Sequence, residues 1–367
     1  MWKTVAAAFA LLLLASPAQA QPPRAGLCPG LHGDALTRCL YSDLDDRLRT
    51  LGSVPDPTVP PSSPPPSPSP SPTSPATGDW LSGAAGTEAA DGTFGTWRGT
   101  KVEIAEFWVN DPALYPIGPD IDGCGDCGMW RESSVPVSIS AAPPNWSGWA
   151  NEANGAHDAY WTALARKAKE LRTGKGQVYL NPYYEFNGDW MDWSVVRTAQ
   201  GQADFRAGYA RTAAILKKEF PGVKVVLNPG AGRTVPTDMW PASSAFDVVG
   251  IDTYNEWPHC ATASCVPTFL GRIEPLRLAA EARGKPVAFP EWGNSSVAAS
   301  AGGGGESPAV IDGLHGYIRD HGGSGPGQVL YETYFNIDGY PARYELFTHG
   351  TVNPTQPKTA AEYVAKF

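Results

Sequence analysis

Charge is scarce in this chain. Asp, Glu, Lys and Arg make up 18% of its 367 residues, against about 25% in an average globular protein. Cations are scarcer than anions, 28 against 37, which leaves a formal charge of -9. That balance argues against nucleic acid as the main partner, because phosphate binding needs clustered Lys and Arg. Long apolar runs are missing too. After residue 20 no stretch approaches the ~18 consecutive apolar residues of a membrane span. No Gly-rich dinucleotide fingerprint follows the first strand-like run, which weakens an open nucleotide-binding sheet. Aromatics are plentiful at 11%, with 13 Trp, and such a chain does not read as disordered.

The ends are distinct. Residues 1–20 read as a signal peptide: Lys3 gives the positive start, Val5 to Ala15 the apolar centre, and Ala18-Gln19-Ala20 the cleavage site. The mature chain is then expected to be secreted, extracellular or periplasmic. Residues 21–54 form a small segment holding Cys28 and Cys39, too short for a core of its own. Residues 55–78 form a Pro/Ser-rich linker; 55–75 alone holds 11 of the 36 prolines. Proline fixes φ and lacks an N–H, so an extended, polyproline-II-like spacer is expected. The folded body is 79–367.

Six cysteines fall into three local pairs, Cys28/Cys39, Cys124/Cys127 and Cys260/Cys265. An even count after a signal peptide reads as disulfides. Local bridges are simplest, and a bridge between the 124–127 and 260–265 loops stays open. Cys124-Gly125-Asp126-Cys127 lies in a Gly-rich loop without the strand-to-helix setting of a redox motif, and a zinc site would need two further ligands.

Eight strand-like runs cross the body: Trp80 to Ala85, Val102 to Trp108, Val135 to Ser140, Gln177 to Tyr184, Val223 to Asn228, Phe246 to Asp252, Pro286 to Pro290 and Gln328 to Phe335. Several are continuously apolar, as strands buried on both faces are. Helical periodicity covers His157 to Arg172, Asp204 to Phe220 and Thr268 to Arg283, the last stopping at Gly284. The alternation predicts an α/β fold, a (β/α)8 TIM barrel. It is weakest between the first two strands, where the chain is Gly-rich.

Barrel active sites lie at the C-terminal ends of the strands. Strand four ends in Tyr183-Tyr184-Glu185-Phe186-Asn187-Gly188-Asp189-Trp190, strand six in Asp252-Thr253-Tyr254, and strand seven in Pro290-Glu291-Trp292-Gly293. Glu185 and Glu291 would face each other across the mouth. Glycosidic bond cleavage needs such a pair, one carboxyl to protonate the leaving oxygen and one as nucleophile or base. Trp108, Trp190, Trp193, Trp257 and Trp292 lie at or past strand ends, where indole faces can stack on pyranose rings. Trp161, on a helix, reads as core. Few cations suit a neutral polysaccharide.

At these residues the sequence resembles glycoside hydrolase family 26, the β-mannanase-like family of retaining (β/α)8 hydrolases. The motifs are Tyr184 to Trp190, Asp247 to Tyr254 and Lys285 to Gly293, in order and at barrel spacing. The resemblance implies that Glu185 is the acid/base, Glu291 the nucleophile, Tyr254 a tyrosine bonded to the nucleophile, and Trp190 a stacking residue beside the scissile bond. Asn187, Tyr184 and Trp292 join them as expected substrate contacts. The family's His before the acid/base is replaced by Tyr184, its Arg is absent from Leu180-Asn181-Pro182, Ser138-Ile139-Ser140 replaces a His on strand three, and strand eight brings Tyr331 to Asn336 in place of a Trp.

The expected function is a secreted retaining endo-β-glycoside hydrolase acting on a mannan-like polysaccharide, β-glucan or xylan by double displacement. A non-catalytic polysaccharide-binding barrel and a transglycosylase are the alternatives. No metal, cofactor or membrane span is expected, and the enzyme is expected to be a monomer. Asp120, Asp122 and Asp126 form an acidic loop without the closing Glu of a calcium hand. Asn145-Trp146-Ser147 and Asn294-Ser295-Ser296 match the glycosylation pattern. Asp192 and Glu256 are further acids near the mouth.

Overall fold

The computed structural model describes residues 80–109, 133–256, 259–337 and 339–367. The expected signal peptide, the 21–54 segment, the 55–78 linker, the acidic loop with Cys124 and Cys127, and Trp257 lie outside the described residues. Eight parallel strands form the centre: β1 (Leu81–Ala85), β2 (Ala105–Val109), β3 (Val137–Ala141), β4 (Val178–Pro182), β5 (Lys224–Leu227), β6 (Val248–Gly250), β7 (Val287–Asn294) and β8 (Val329–Phe335). Each pairs with the next, and β8 returns to β1 through Leu81↔Tyr331 to Ala85↔Phe335. The barrel is closed. After β6 the chain resumes as a short strand, Thr253–Asn255, paired with the far end of β7.

The continuously apolar strands now resolve into two faces. Phe107, Val109, Val137, Ile139, Val178, Leu180, Val225, Leu227, Val249 and Phe289 pack into the main core. The opposite face changes along the barrel. Ile104, Tyr179, Val226, Val248, Ala288 and Tyr331 make an apolar inner layer. On the same face, toward the C-terminal ends, stand the buried polar residues Glu106, Ser138, Ser140, Asn181, Asn228 and Asp252. The interior is thus apolar at one level and acidic and amide-rich beneath the mouth.

Two short helices, α1 (Thr87–Ala90) and α2 (Thr93–Arg98), fill the Gly-rich connection from β1 to β2. Between β3 and β4 come α3 (Trp149–Ala153) and α4 (Asp158–Arg172); α4 buries Trp161, Leu164, Ala165 and Ala168 at helical spacing. Between β4 and β5 runs α5 (Ala199–Glu219), which begins before the expected Asp204 because Thr198 Oγ1 accepts from Gly201 N, 3.1 Å, as an N-cap.

The expected helix from Thr268 to Arg283 is two helices, α6 (Val266–Leu270) and α7 (Glu274–Glu281). Pro275 has no N–H to give to the preceding turn, so the helix stops and restarts with proline in its first turn. Between β5 and β6 only a single 3-10 turn forms, Thr237–Met239, so the expected alternation is incomplete there. α8 (Pro308–His321) links β7 to β8, and α9 (Pro357–Lys366) follows β8. Cys260 is bonded to Cys265, which selects the local bridge for that pair. Among the described residues no helix is long and apolar enough to cross a membrane.

Candidate active site

The turn after β4 carries Glu185 and is held against its own backbone preference. Tyr183 (φ 60) and Glu185 (φ 53) both adopt left-handed backbone, which costs on the order of 1 kcal/mol or more for each side chain with a Cβ. Packing offsets the cost. The Tyr183 ring is fully buried among Trp146, Trp149 and Trp161, and Trp161 Nε1 donates to its hydroxyl at 3.0 Å. Glu185 N donates to Asn228 O, 2.7 Å, and Gly188 N to Glu185 O, 2.9 Å. The turn therefore aims Tyr183 inward and leaves Tyr184 and Glu185 half-buried at the mouth.

Glu291 stands on β7 and is nearly buried. Trp108 Nε1, at the end of β2, donates to its Oε1 at 2.7 Å. Tyr254 OH, on the strand that continues β6, donates to its Oε2 at 2.8 Å. Its own N–H donates to Asp252 Oδ1, 3.1 Å, while Asn228 Nδ2 donates to Asp252 Oδ2, 2.5 Å. Among the described residues Glu185 receives a single donor, Trp190 Nε1, on Oε2 at 2.5 Å.

Both carboxyls are pushed up, and burial is the main cause. Glu291 rises to about 7, held back by the hydrogen bonds from Tyr254 and Trp108. Glu185 rises to about 8, because the negative charges of Glu291 and Glu256 add to burial against a single opposing bond from Trp190. The two act on each other and titrate as a unit. Within that unit Glu291 is the better carboxylate and Glu185 the better acid. Burial, with the charges of Glu291 and Glu185, pushes Tyr184 and Tyr254 well above the usual phenol range, so both hydroxyls remain donors.

The expected contacts separate into two groups. Glu185, Glu291, Trp108, Tyr254, Trp190 and Tyr184 come together at the mouth. Trp190 is 48% exposed. Trp193 packs its ring edge against Tyr184 and donates to Tyr184 O at 2.7 Å, so it backs the mouth. Asn187 is buried, with Oδ1 accepting from Gly230 N, 2.8 Å, and Nδ2 donating to Gly230 O and Arg233 O. It ties the β4 turn to the β5 loop. Trp292 is buried in the core, edge-on to Tyr334, with Nε1 donating to Glu332. The strand period turns it away from the face that carries Glu291, which corrects its expected place in the cleft.

Three residues escaped the sequence reading of the site. Glu106 and Asp252 lie beneath it, and both had a signal: each sits two residues before a site aromatic, Trp108 or Tyr254, on the same strand face. Tyr344 had none. It follows β8, packs its ring 4.5 Å from Tyr254, and donates its hydroxyl to Glu256. With Phe335 it packs beside Trp108 and Tyr254, the two donors to Glu291. Asp192 is exposed. Of the two glycosylation tripeptides, Asn294 is fully buried and bonded to Gly305 O and Gln356, whereas Asn145 is exposed. The Gly302 to Gly305 run is tied back to Ser295 and Val297.

Residues 148–285 match the family model "Glycosyl hydrolase family 26", a stretch that contains Glu185 and Tyr254 and ends before Glu291. Solved structures share the fold. An endo-β-1,4-mannanase double mutant from Cellulomonas fimi is 17% identical with a TM-score of 0.58, over 79% of this chain and 70% of the mannanase. The catalytic domain of an endo-β-1,4-mannanase from Bacillus sp. JAMB-750 is 17% identical with a TM-score of 0.55, over 77% and 85%. A β-mannanase from Bacteroides ovatus is 14% identical with a TM-score of 0.54, over 78% and 88%. No curated protein sequence matches the chain.

Proposed function

We propose that this chain, similar to glycoside hydrolase family 26 across residues 148–285, is a secreted retaining glycoside hydrolase that cleaves a neutral β-linked polysaccharide internally. The observation that carries the reading is the unequal environment of its two carboxyls among the described residues: one side-chain donor on each oxygen of Glu291, against one donor for Glu185. Glu291 attacks the anomeric carbon, and the bond to the leaving oxygen breaks as Glu185 gives that oxygen its proton. A covalent glycosyl-enzyme forms. Glu185, now ionised, takes a proton from water, and the water oxygen displaces Glu291. Trp190, bonded to Glu185 and half exposed, offers its indole face to the leaving sugar.

The mannanases that share the fold make β-mannan the first substrate to test, with β-glucan and xylan beside it. Secretion rests on the character of residues 1–20. The test offers the mature chain soluble mannan, xylan, β-glucan and bacterial exopolysaccharides, and reads released reducing ends. The wild type should cleave at least one, and Glu291→Ala and Glu185→Ala should each lose at least about a thousandfold in kcat. Binding without release by the wild type would favour a polysaccharide-binding barrel. Longer products in place of reducing ends would favour transglycosylation.

A further inference from the structure

Glu106 is the buried acid that the double displacement does not use. It stands on β2, two residues before Trp108 and therefore on the same strand face as the indole that holds Glu291. The groups that face it come from every side of the barrel interior. Ser140 Oγ, on β3, donates to Glu106 Oε1 at 2.7 Å, and Ser138 lies beside it. Asn181, on β4, lies within reach of its carboxyl. The titratable neighbours are Glu291 on β7, Asp252 after β6 and Tyr331 on β8, and the negative charge of each, when ionised, repels one on Glu106. Among the described residues, the groups that act most strongly on it are Ser138, Glu291, Ser140 and Asn181, none of them a cation.

Among the described residues, two buried oxygens in this cluster have no hydrogen-bond partner, Glu106 Oε2 and Asn181 Oδ1. Asn181 Nδ2 is already spent on Ser138 Oγ, 3.0 Å, and Ser140 Oγ, 3.1 Å. An ionised Glu106 offers acceptors only, so it has nothing to give the Asn181 oxygen, and both oxygens lie closed to bulk solvent. A protonated Glu106 has an O–H to give, and the amide oxygen of Asn181 is an acceptor in want of one. One proton settles both atoms.

We propose that Glu106 is a positioning residue that stays protonated throughout the working range, donates from Oε2 to Asn181 Oδ1, and so leaves Glu291 as the carboxylate of the site. Burial, with the charge of Glu291 acting in the same direction, outweighs the polar groups of Ser138, Ser140 and Asn181, which favour the charged form, and holds the Glu106 proton in place. The catalytic consequence rests on the function proposed above; the protonation state does not. Glu106 touches no substrate. It acts on Glu291 by being uncharged, and on the Ser140–Asn181 network by being a donor.

The test compares Glu106→Gln with Glu106→Ala in the mature chain. Gln has the shape of the neutral acid and keeps an N–H donor. Glu106→Gln should fold, keep kcat on soluble β-mannan, or on the best polysaccharide of the panel, within about threefold, and leave both limbs of its pH profile in place. Glu106→Ala should lose at least about tenfold in kcat with little change in KM, and Gln should rescue that loss. An infrared difference spectrum, wild type minus Glu106→Gln at neutral pH, should show a carboxylic acid band and no carboxylate band. That spectrum needs no substrate, so it reads Glu106 even if no polysaccharide is cleaved. A carboxylate band, an acidic limb displaced downward in Glu106→Gln, or a Glu106→Gln chain that does not fold would each overturn the proposal.

Discussion

Glu291 accepts from Trp108 and Tyr254, one on each oxygen, and both bonds favour its charged form. Removing either donor should raise its pKa further. Tyr254→Phe and Trp108→Phe are each expected to move the acid-side limb of kcat/KM upward by roughly half a unit to one unit, the worth of one hydrogen bond. A pH profile of each variant checks this, and a downward move would contradict it. The two acids were legible in the sequence because a Glu at the end of an apolar strand stands out. Trp292 was misread for a physical reason. Its strand is buried on both faces, so the sequence pattern does not show which face points inward, and only the pairing of β7 with β8 places Trp292 behind Glu291. Glu106 was visible as a lone acid in Ala105-Glu106-Phe107-Trp108-Val109, and its proximity to Glu291 depends on barrel closure.

At the scale of elements, the site depends on turns that are tied to one another. Asn187 bonds the β4 turn to the β5 loop through both backbone groups of Gly230. Asn187→Ala should leave those groups unpaired and lower stability by about 1–3 kcal/mol, measured by urea unfolding. Activity should fall as well, because the strained Glu185 backbone loses a support. Gly188 is small for a different reason: a Cβ there would meet the Trp190 ring at 2.6 Å. Gly188→Ala should therefore displace the indole from Glu185 and lower kcat, and an unchanged kcat would show that the Trp190 bond does not matter. Eight strands were legible from their apolar runs and from the helices between them. The break between α6 and α7 was not, since Phe269, Leu276 and Ala280 keep a helical rhythm across it and only Pro275 marks the restart.

The whole molecule gathers Glu106, Glu185, Asp252 and Glu291 under one barrel mouth, each with its pKa raised chiefly by burial. A carboxyl whose pKa is higher in the folded chain than in the unfolded one adds stability at low pH and loses it as pH rises. For Glu185 the loss runs from the ordinary carboxyl range near 4.5 up to about 8. Glu185→Gln should therefore gain on the wild type between pH 5 and pH 8, by roughly 2–5 °C in Tm. Calorimetry at the two values checks it, and a gap that narrows with pH would contradict it. The scarcity of charge seen in the sequence is thus joined to a local excess of acid, and that excess is the chemistry of the site. The proposed mechanism needs Glu291 as nucleophile and Glu185 as acid/base. The most direct test is the ¹H NMR signal of the first-formed product from whichever panel polysaccharide is cleaved. Double displacement predicts the β-anomer, with configuration retained before mutarotation. An α-anomer appearing first would contradict it.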